Sequence, residues 1–116
     1  MMLDWTQYRT QLTARVKELA QLNPDTVKGY AQLSGAAPNK DVLGAKIREL
    51  IALGAAVTLR CDGCVAVHSA AALRHGATPQ EIAQALGVAI SVNAGAALVY
   101  STRVLDAIKG ASGTSS

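Results

Sequence analysis

The sequence predicts an all-α protein of about six helices. Three observations lead there. Apolar residues recur at three- and four-residue intervals, with no alternating strand pattern. The apolar half of the chain is mostly Ala, Leu and Val, with no Phe and only 3% aromatic residues, a composition that favours closely packed helices. Helix start and stop signals then divide the chain at regular points.

The first helix is expected over 4–22, where Trp5, Tyr8, Leu12, Val16 and Leu19 share a face and Asp4 can cap the start. Asn23-Pro24 reads as a cap followed by proline in the first turn, opening a short helix to Ser34 that Gly35 ends. The AAPN segment is a connector. A third helix should begin near 39–41 and run to about Leu59, burying Leu43, Ile47, Leu50, Ile51 and Val57, with Glu49 beside that stripe. After a break near 60–62, a fourth helix should carry Cys64 to Arg74 and stop at Gly76. Thr78-Pro79-Gln80-Glu81 is a capping box with proline at the first position. The helix it opens should reach Val92. Asn93-Ala94-Gly95 is expected to interrupt it, and a last helix should cover 96–108.

The 116 residues suit one domain, placed at 1–110, with 111–116 as a disordered tail. The net charge of +3 is spread out. No basic cluster marks a nucleic-acid or anionic-membrane surface, so neither partner is expected. No uninterrupted apolar run reaches about 18 residues, so no transmembrane helix is expected. The start MMLDWTQYRT lacks a basic-then-apolar signal pattern, and two cysteines are no secreted disulfide framework; a cytoplasmic protein is expected. Positive mean hydropathy and Gly-rich apolar faces suggest that another subunit covers part of the surface, so a homo-oligomer is expected.

The chemistry concentrates in RCDGCVAVHS, residues 60–69. The chain has two cysteines and two histidines, and both cysteines and one histidine fall here as Cys61-x-x-Cys64-x-x-x-His68. On a helix these three would lie along one face. If Cys61 stands at the helix N-terminus, backbone N–H groups and the helix dipole would favour its thiolate. Three uses are open. A redox dithiol would attack a peroxide oxygen or a disulfide with one thiolate and close a Cys61–Cys64 bond with the other, His68 taking a proton from Cys64. A zinc site would need Glu49 or His75 as a fourth ligand, and one helical stretch wraps a tetrahedral ion poorly. Simple packing is the third, since free cysteine is often buried, although Asp62-Gly63 breaks any buried stripe. His75, next to Gly76, reads as a helix-end or surface residue, and Glu49 by itself as a surface charge near Lys46.

Glu49, eleven residues, Cys61-x-x-Cys64, three residues and His68, followed by HGATPQEIAQALGVAISVNAGAALVYSTRVLDAI, resembles the alkylhydroperoxidase D-like core of the carboxymuconolactone decarboxylase superfamily. The resemblance covers 38–108. It implies an all-helical homo-oligomer, trimer or hexamer, that reduces a hydroperoxide substrate and is re-reduced by a dithiol electron donor, with no cofactor or metal. Carried onto this chain, Glu49 and His68 form a proton relay, Cys64 is the attacking thiolate, and Cys61 resolves it and faces the donor. The sequence departs from the pattern at Gly63, where fuller members can carry a second histidine, and in its short segment before the core. Two other readings remain. One is the lactone decarboxylase branch of aromatic catabolism, which does not rely on a cysteine pair. The other is a non-catalytic oligomeric redox sensor, which has no need of Glu49 and His68 at these spacings.

Overall fold

In the computed structural model, residues 1–36 and 41–113 are described. They form five α-helices and no strand: α1 Trp5–Leu22, α2 Pro24–Ser34, α3 Gly44–Leu59, α4 Asp62–Arg74 and α5 Pro79–Ser112. The Asp4 carboxylate caps α1 by accepting the Gln7 N–H at 3.0 Å. Only Asn23 separates α1 from α2, and Pro24 opens the second helix, so the two form a tight hairpin.

The expected start of α3 near 39–41 lies partly outside the described residues, and the helix begins later, at Gly44. The cause is local. Gly44 takes a left-handed φ of 78°, which a right-handed helix cannot pass through and only glycine adopts cheaply. The Asp41 carboxylate accepts the Gly44 N–H at 3.1 Å and the Arg48 Nε–H at 3.0 Å. Those two bonds, backbone first and then guanidinium, hold the Asp41 carboxyl below its ordinary value.

At its other end α3 stops on Arg60, a non-glycine residue in the left-handed region at φ 55°. The turn re-aims the chain, so that Cys61 is extended and serves as the cap of α4. His75 and Gly76, with φ 88° at Gly76, end α4.

Thr78 and Glu81 form the predicted capping box, at 3.1 and 2.9 Å. Beyond it α5 is one helix of 34 residues, without the expected interruption at 93–95. Asn93 does not divert the backbone. Its side-chain amide donates to the Ala89 carbonyl at 2.7 Å and to Thr58 Oγ1 on α3 at 2.8 Å. Gly95 costs about 1 kcal/mol of propensity against alanine, and the surrounding alanines carry the helix through. The described residues thus form five helices, close to the expected six. The helix also runs through Ala111 and Ser112 to a left-handed Gly113 cap, so 111–113 are not part of a disordered tail; residues 114–116 lie outside the described ones. A continuous α5 is long and apolar enough to cross a membrane by length and composition. Reading uninterrupted apolar runs missed this, because Ser91 and Asn93 break the run without breaking the helix.

α3 is central. It packs on α4 and on α5, while α1 packs on α2 and α4. The core is small: Leu53, Ala72 and Ala77 are buried, with Leu50, Ile82 and Leu86 packed around them. A bridge of 2.9 Å from Lys46 to Glu81 ties α3 to the first turn of α5. The buried side of α3 is Leu53 and Ala56, not the wider stripe expected. Leu43, Ile47 and Ile51 are exposed, because the stripe is broader than α4 and α5 together can cover. α1 buries none of its residues; Arg9 Nη1 reaches the Ala66 carbonyl of α4 at 3.4 Å.

Candidate functional site: a disulfide beside a carboxylate–imidazole pair

Cys61 and Cys64 are joined as a disulfide, their Cα atoms 5.2 Å apart. Cys61 is pinned by its position at the start of α4. Its N–H donates to the Ala56 carbonyl at 3.1 Å, and its carbonyl accepts the Val65 N–H at 2.9 Å. Its sulfur accepts the Cys64 N–H at 3.1 Å, the bond a capping side chain makes. Once the disulfide is reduced, that N–H and the positive end of the α4 dipole stabilise negative charge on Cys61.

His68 lies one turn beyond Cys64 on α4, and Glu49 comes from α3. Their contact is the shortest polar contact between these two helices: His68 Nδ1 to Glu49 Oε2 at 2.7 Å. Both side chains are half-buried, at 35% and 21% exposure. Against a carboxylate, which only accepts, Nδ1 is the donor; the contact holds the ring in place, and in the neutral imidazole that tautomer has Nε2 as its acceptor. The sequence reading thus named four residues that the fold brings together on the α3–α4 pair. Glu49 was recognisable as a site residue only through the resemblance, because nothing local distinguishes it from a surface acid.

A cleft of about 470 Å³ opens over this pair of helices. Cys61, Cys64 and His68 form its floor, while Leu12, Val16 and Lys17 of α1 and Tyr30 and Ser34 of α2 form its walls. Glu49 is not among the lining residues; it stands behind His68. These wall residues were not singled out from sequence. The one available sign was the apolar spacing of Leu12 and Val16, which reads equally well as core. A Cβ on Gly63 would sit 3.0 Å from Leu12 Cδ2. A side chain at this position would therefore require Leu12 of α1 to shift by a few tenths of an ångström.

His75 is exposed and caps α4 through its backbone N–H, 3.0 Å from the Ala71 carbonyl. Among the described residues, no three His, Cys, Asp or Glu side chains gather as a metal site would require. Away from the cleft, the hydrogen bond from Lys46, with the Thr78 N–H second, holds the Glu81 carboxyl below its ordinary value.

An all-helical subunit with a two-cysteine disulfide at a helix start, backed by an acid–imidazole pair, defines the class. The carboxymuconolactone decarboxylase family model matches residues 24–107, and the chain belongs to that family. It is 43% identical over 107 residues to an uncharacterized protein of Haemophilus influenzae, covering 92% of this chain and 95% of that one. A protein of Cupriavidus necator is 31% identical over 105 residues, with 90% and 93% covered. The crystal structure of an apo carboxymuconolactone decarboxylase family protein from Legionella pneumophila superposes with a TM-score of 0.71 at 28% identity, covering 91% of this chain and 95% of that one. α1 lies outside the family match.

Proposed function

We propose that the chain is a thiol-dependent oxidoreductase that reduces hydroperoxides in the α1–α2–α4 cleft and is restored by a dithiol donor. The observation that carries this reading is the Glu49–His68 contact of 2.7 Å beside a cysteine pair placed to open and close. In the reduced protein, His68 Nε2 takes the Cys64 proton, and Glu49 steadies the imidazolium through Nδ1–H. The Cys64 thiolate attacks the peroxide oxygen. The O–O bond breaks, the alkoxide takes the proton from His68 and leaves as an alcohol, and Cys64 becomes a sulfenic acid. The Cys61 thiolate, favoured by its capping position, attacks the Cys64 sulfur and expels hydroxide, which leaves as water once protonated. The two electrons lost in forming the disulfide are those the peroxide gained. A donor dithiol then attacks Cys61 and returns both thiols by exchange.

The cleft walls are largely apolar, which suits an organic hydroperoxide better than a small hydrophilic one. Lactone decarboxylation has no use for the disulfide, and a passive redox sensor has no use for the paired acid and imidazole. The test is consumption of cumene hydroperoxide and of hydrogen peroxide with dithiothreitol as reductant. Turnover lost in Cys64→Ser supports the reading; turnover unchanged in that variant ends it.

A further inference from the structure

The cleft over the disulfide changes character along its length. Arg9 reaches the Ala66 carbonyl and Leu12 stands over Gly63. Numbers therefore rise along α1 as they fall along α4, and the two helices run antiparallel. Leu12 marks the sulfur end of the α1 wall. Lys17 lies five residues further on, about 7.5 Å at the helical rise, toward and beyond the start of α4. The α1–α2 hairpin turns at Asn23, which sets Tyr30 of α2 level with Val16 and Lys17 of α1.

The two ends offer different chemistry. Cys64 and His68 hold the reactive end, and Leu12, Val16 and Val67 keep the stretch beside them apolar. At the far end the Lys17 ammonium and the Tyr30 hydroxyl line the same cleft. Neither makes a hydrogen bond or an ion pair among the described residues. Elsewhere the chain does pair its cations: Lys46 with Glu81, Arg48 with Asp41 and Arg15 with Glu18. The nearby Thr13 hydroxyl is spent on the Arg9 carbonyl at 2.9 Å. Among the described residues no Asp or Glu lines the cleft, and Asp62, between the cysteines, is not part of its lining. A cation at one end of an acid-free, largely apolar wall favours an anion there. The family match spans 24–107, so Lys17 belongs to a segment that the family pattern does not supply.

We infer that the cleft takes an organic hydroperoxide that carries a carboxylate, the peroxide at Cys64 and His68 and the carboxylate on Lys17 and Tyr30. The inference rests on the hydroperoxide reading and specifies its substrate class. The redox step is unchanged. The two thiols supply two electrons, the O–O bond breaks, and the alcohol leaves with its carboxylate intact. Lys17 is then a specificity-determining residue that selects the substrate by charge, at a distance from the sulfur set by the apolar stretch between them.

The test is the rate at which pre-reduced protein is oxidised by two matched compounds, the para-carboxylate of cumene hydroperoxide and its methyl ester. The carboxylate should react about fivefold faster, the worth of one charge-assisted contact in an open cleft, and the ratio should fall toward one as salt rises. Lys17→Met should bring the ratio to about one, and Lys17→Arg should keep it. Methionine matches lysine in helix propensity, so α1 is preserved. Lys28→Met removes a charge of the same hairpin from outside the cleft and should also keep the ratio. Equal rates with the unaltered protein overturn the inference and leave the hydroperoxide reading standing. So does a preference that survives Lys17→Met or is lost equally in Lys28→Met. If neither compound oxidises the thiols, the hydroperoxide reading falls and the substrate class falls with it. The other half-reaction separates substrate from donor: reduction of the oxidised protein by 2-mercaptoethanesulfonate and by 2-mercaptoethanol. If Lys17→Met lowers the sulfonate's relative rate and leaves the peroxide ratio unmoved, the cation serves the donor and the inference is overturned.

Discussion

Glu49→Gln isolates what the acid does for the histidine. The substitution keeps the shape and an oxygen able to accept the Nδ1 hydrogen at the present 2.7 Å, but it removes the charge. A hydrogen bond to a charged group contributes about 1.5–3 kcal/mol, and a neutral one about 0.5–1.5. The imidazolium formed when His68 takes the thiol proton therefore loses roughly 1–1.5 kcal/mol of support. At about 1.4 kcal/mol per decade, kcat should fall about tenfold. His68→Gln removes the proton acceptor itself and should cost about 10²–10⁴-fold. Because Glu49 acts only through His68, the double variant should be no slower than His68→Gln alone. The assay is steady-state hydroperoxide reduction with dithiothreitol, with thermal melts to confirm folding. Losses that multiply in the double variant would show that Glu49 works by another route, and an unaffected Glu49→Gln enzyme would remove it from the mechanism.

Cys61→Ser should trap a sulfenic acid or mixed disulfide on Cys64, read by mass spectrometry after one equivalent of peroxide; an adduct found solely on Cys61 of Cys64→Ser would exchange the two roles. Glu81→Gln should lower the melting temperature at pH 6, and the difference should shrink as pH falls below the ordinary carboxylate range. The hydrogen bond from Lys46 holds the folded Glu81 carboxyl below its ordinary 4.5, so its stabilisation is complete above that value and lost as pH falls through the folded one; equal melting temperatures of the two proteins at pH 6 would contradict the Lys46 pairing. Gly63→His should destabilise modestly, by up to about 1 kcal/mol, because the new Cβ must push Leu12 aside from 3.0 Å. Leu12→Ala should recover part of that loss in a denaturant titration, and an absence of recovery would place the strain elsewhere.

What could be read in the sequence was what depends on neighbours along the chain. The Asp4 and Thr78 caps, the Pro24 start, the break at Arg60 and the stop at Gly76 are each set within four or five residues, and the fold reproduces them. The failures are tertiary. Asn93 and Gly95 look like a loop until Thr58, thirty-five positions away, gives the asparagine a partner inside a helix. The α3 stripe looks like core until the chain proves to have too few elements to cover it. Within the site, the cysteine spacing and the four-residue step to His68 are local and legible. Glu49 is not, because its partner sits on a different helix and only a family pattern links them. The cleft walls were invisible for the same reason: nothing in Leu12 or Tyr30 tells a reader that they face a sulfur pair.

The site also divides between two mechanical regimes. Its chemistry rests on α3 and α4, which hold most of the buried residues: Leu53 and Ala56 on one, Ala66, Ala71 and Ala72 on the other. Its walls belong to α1 and α2, which bury none. Segments with few buried contacts open first and at least cost, so the hairpin can move while sulfur, imidazole and carboxylate keep their spacing. In the proposed cycle the disulfide meets a substrate and then a donor dithiol, and a movable cover would admit each in turn. Moving the hairpin from α4 would uncover Cys61, Cys64 and His68 together, while the Glu49–His68 contact between α3 and α4 stays in place. A side chain at Gly63 would press on Leu12 of that hairpin, whereas glycine lets α1 approach the start of α4.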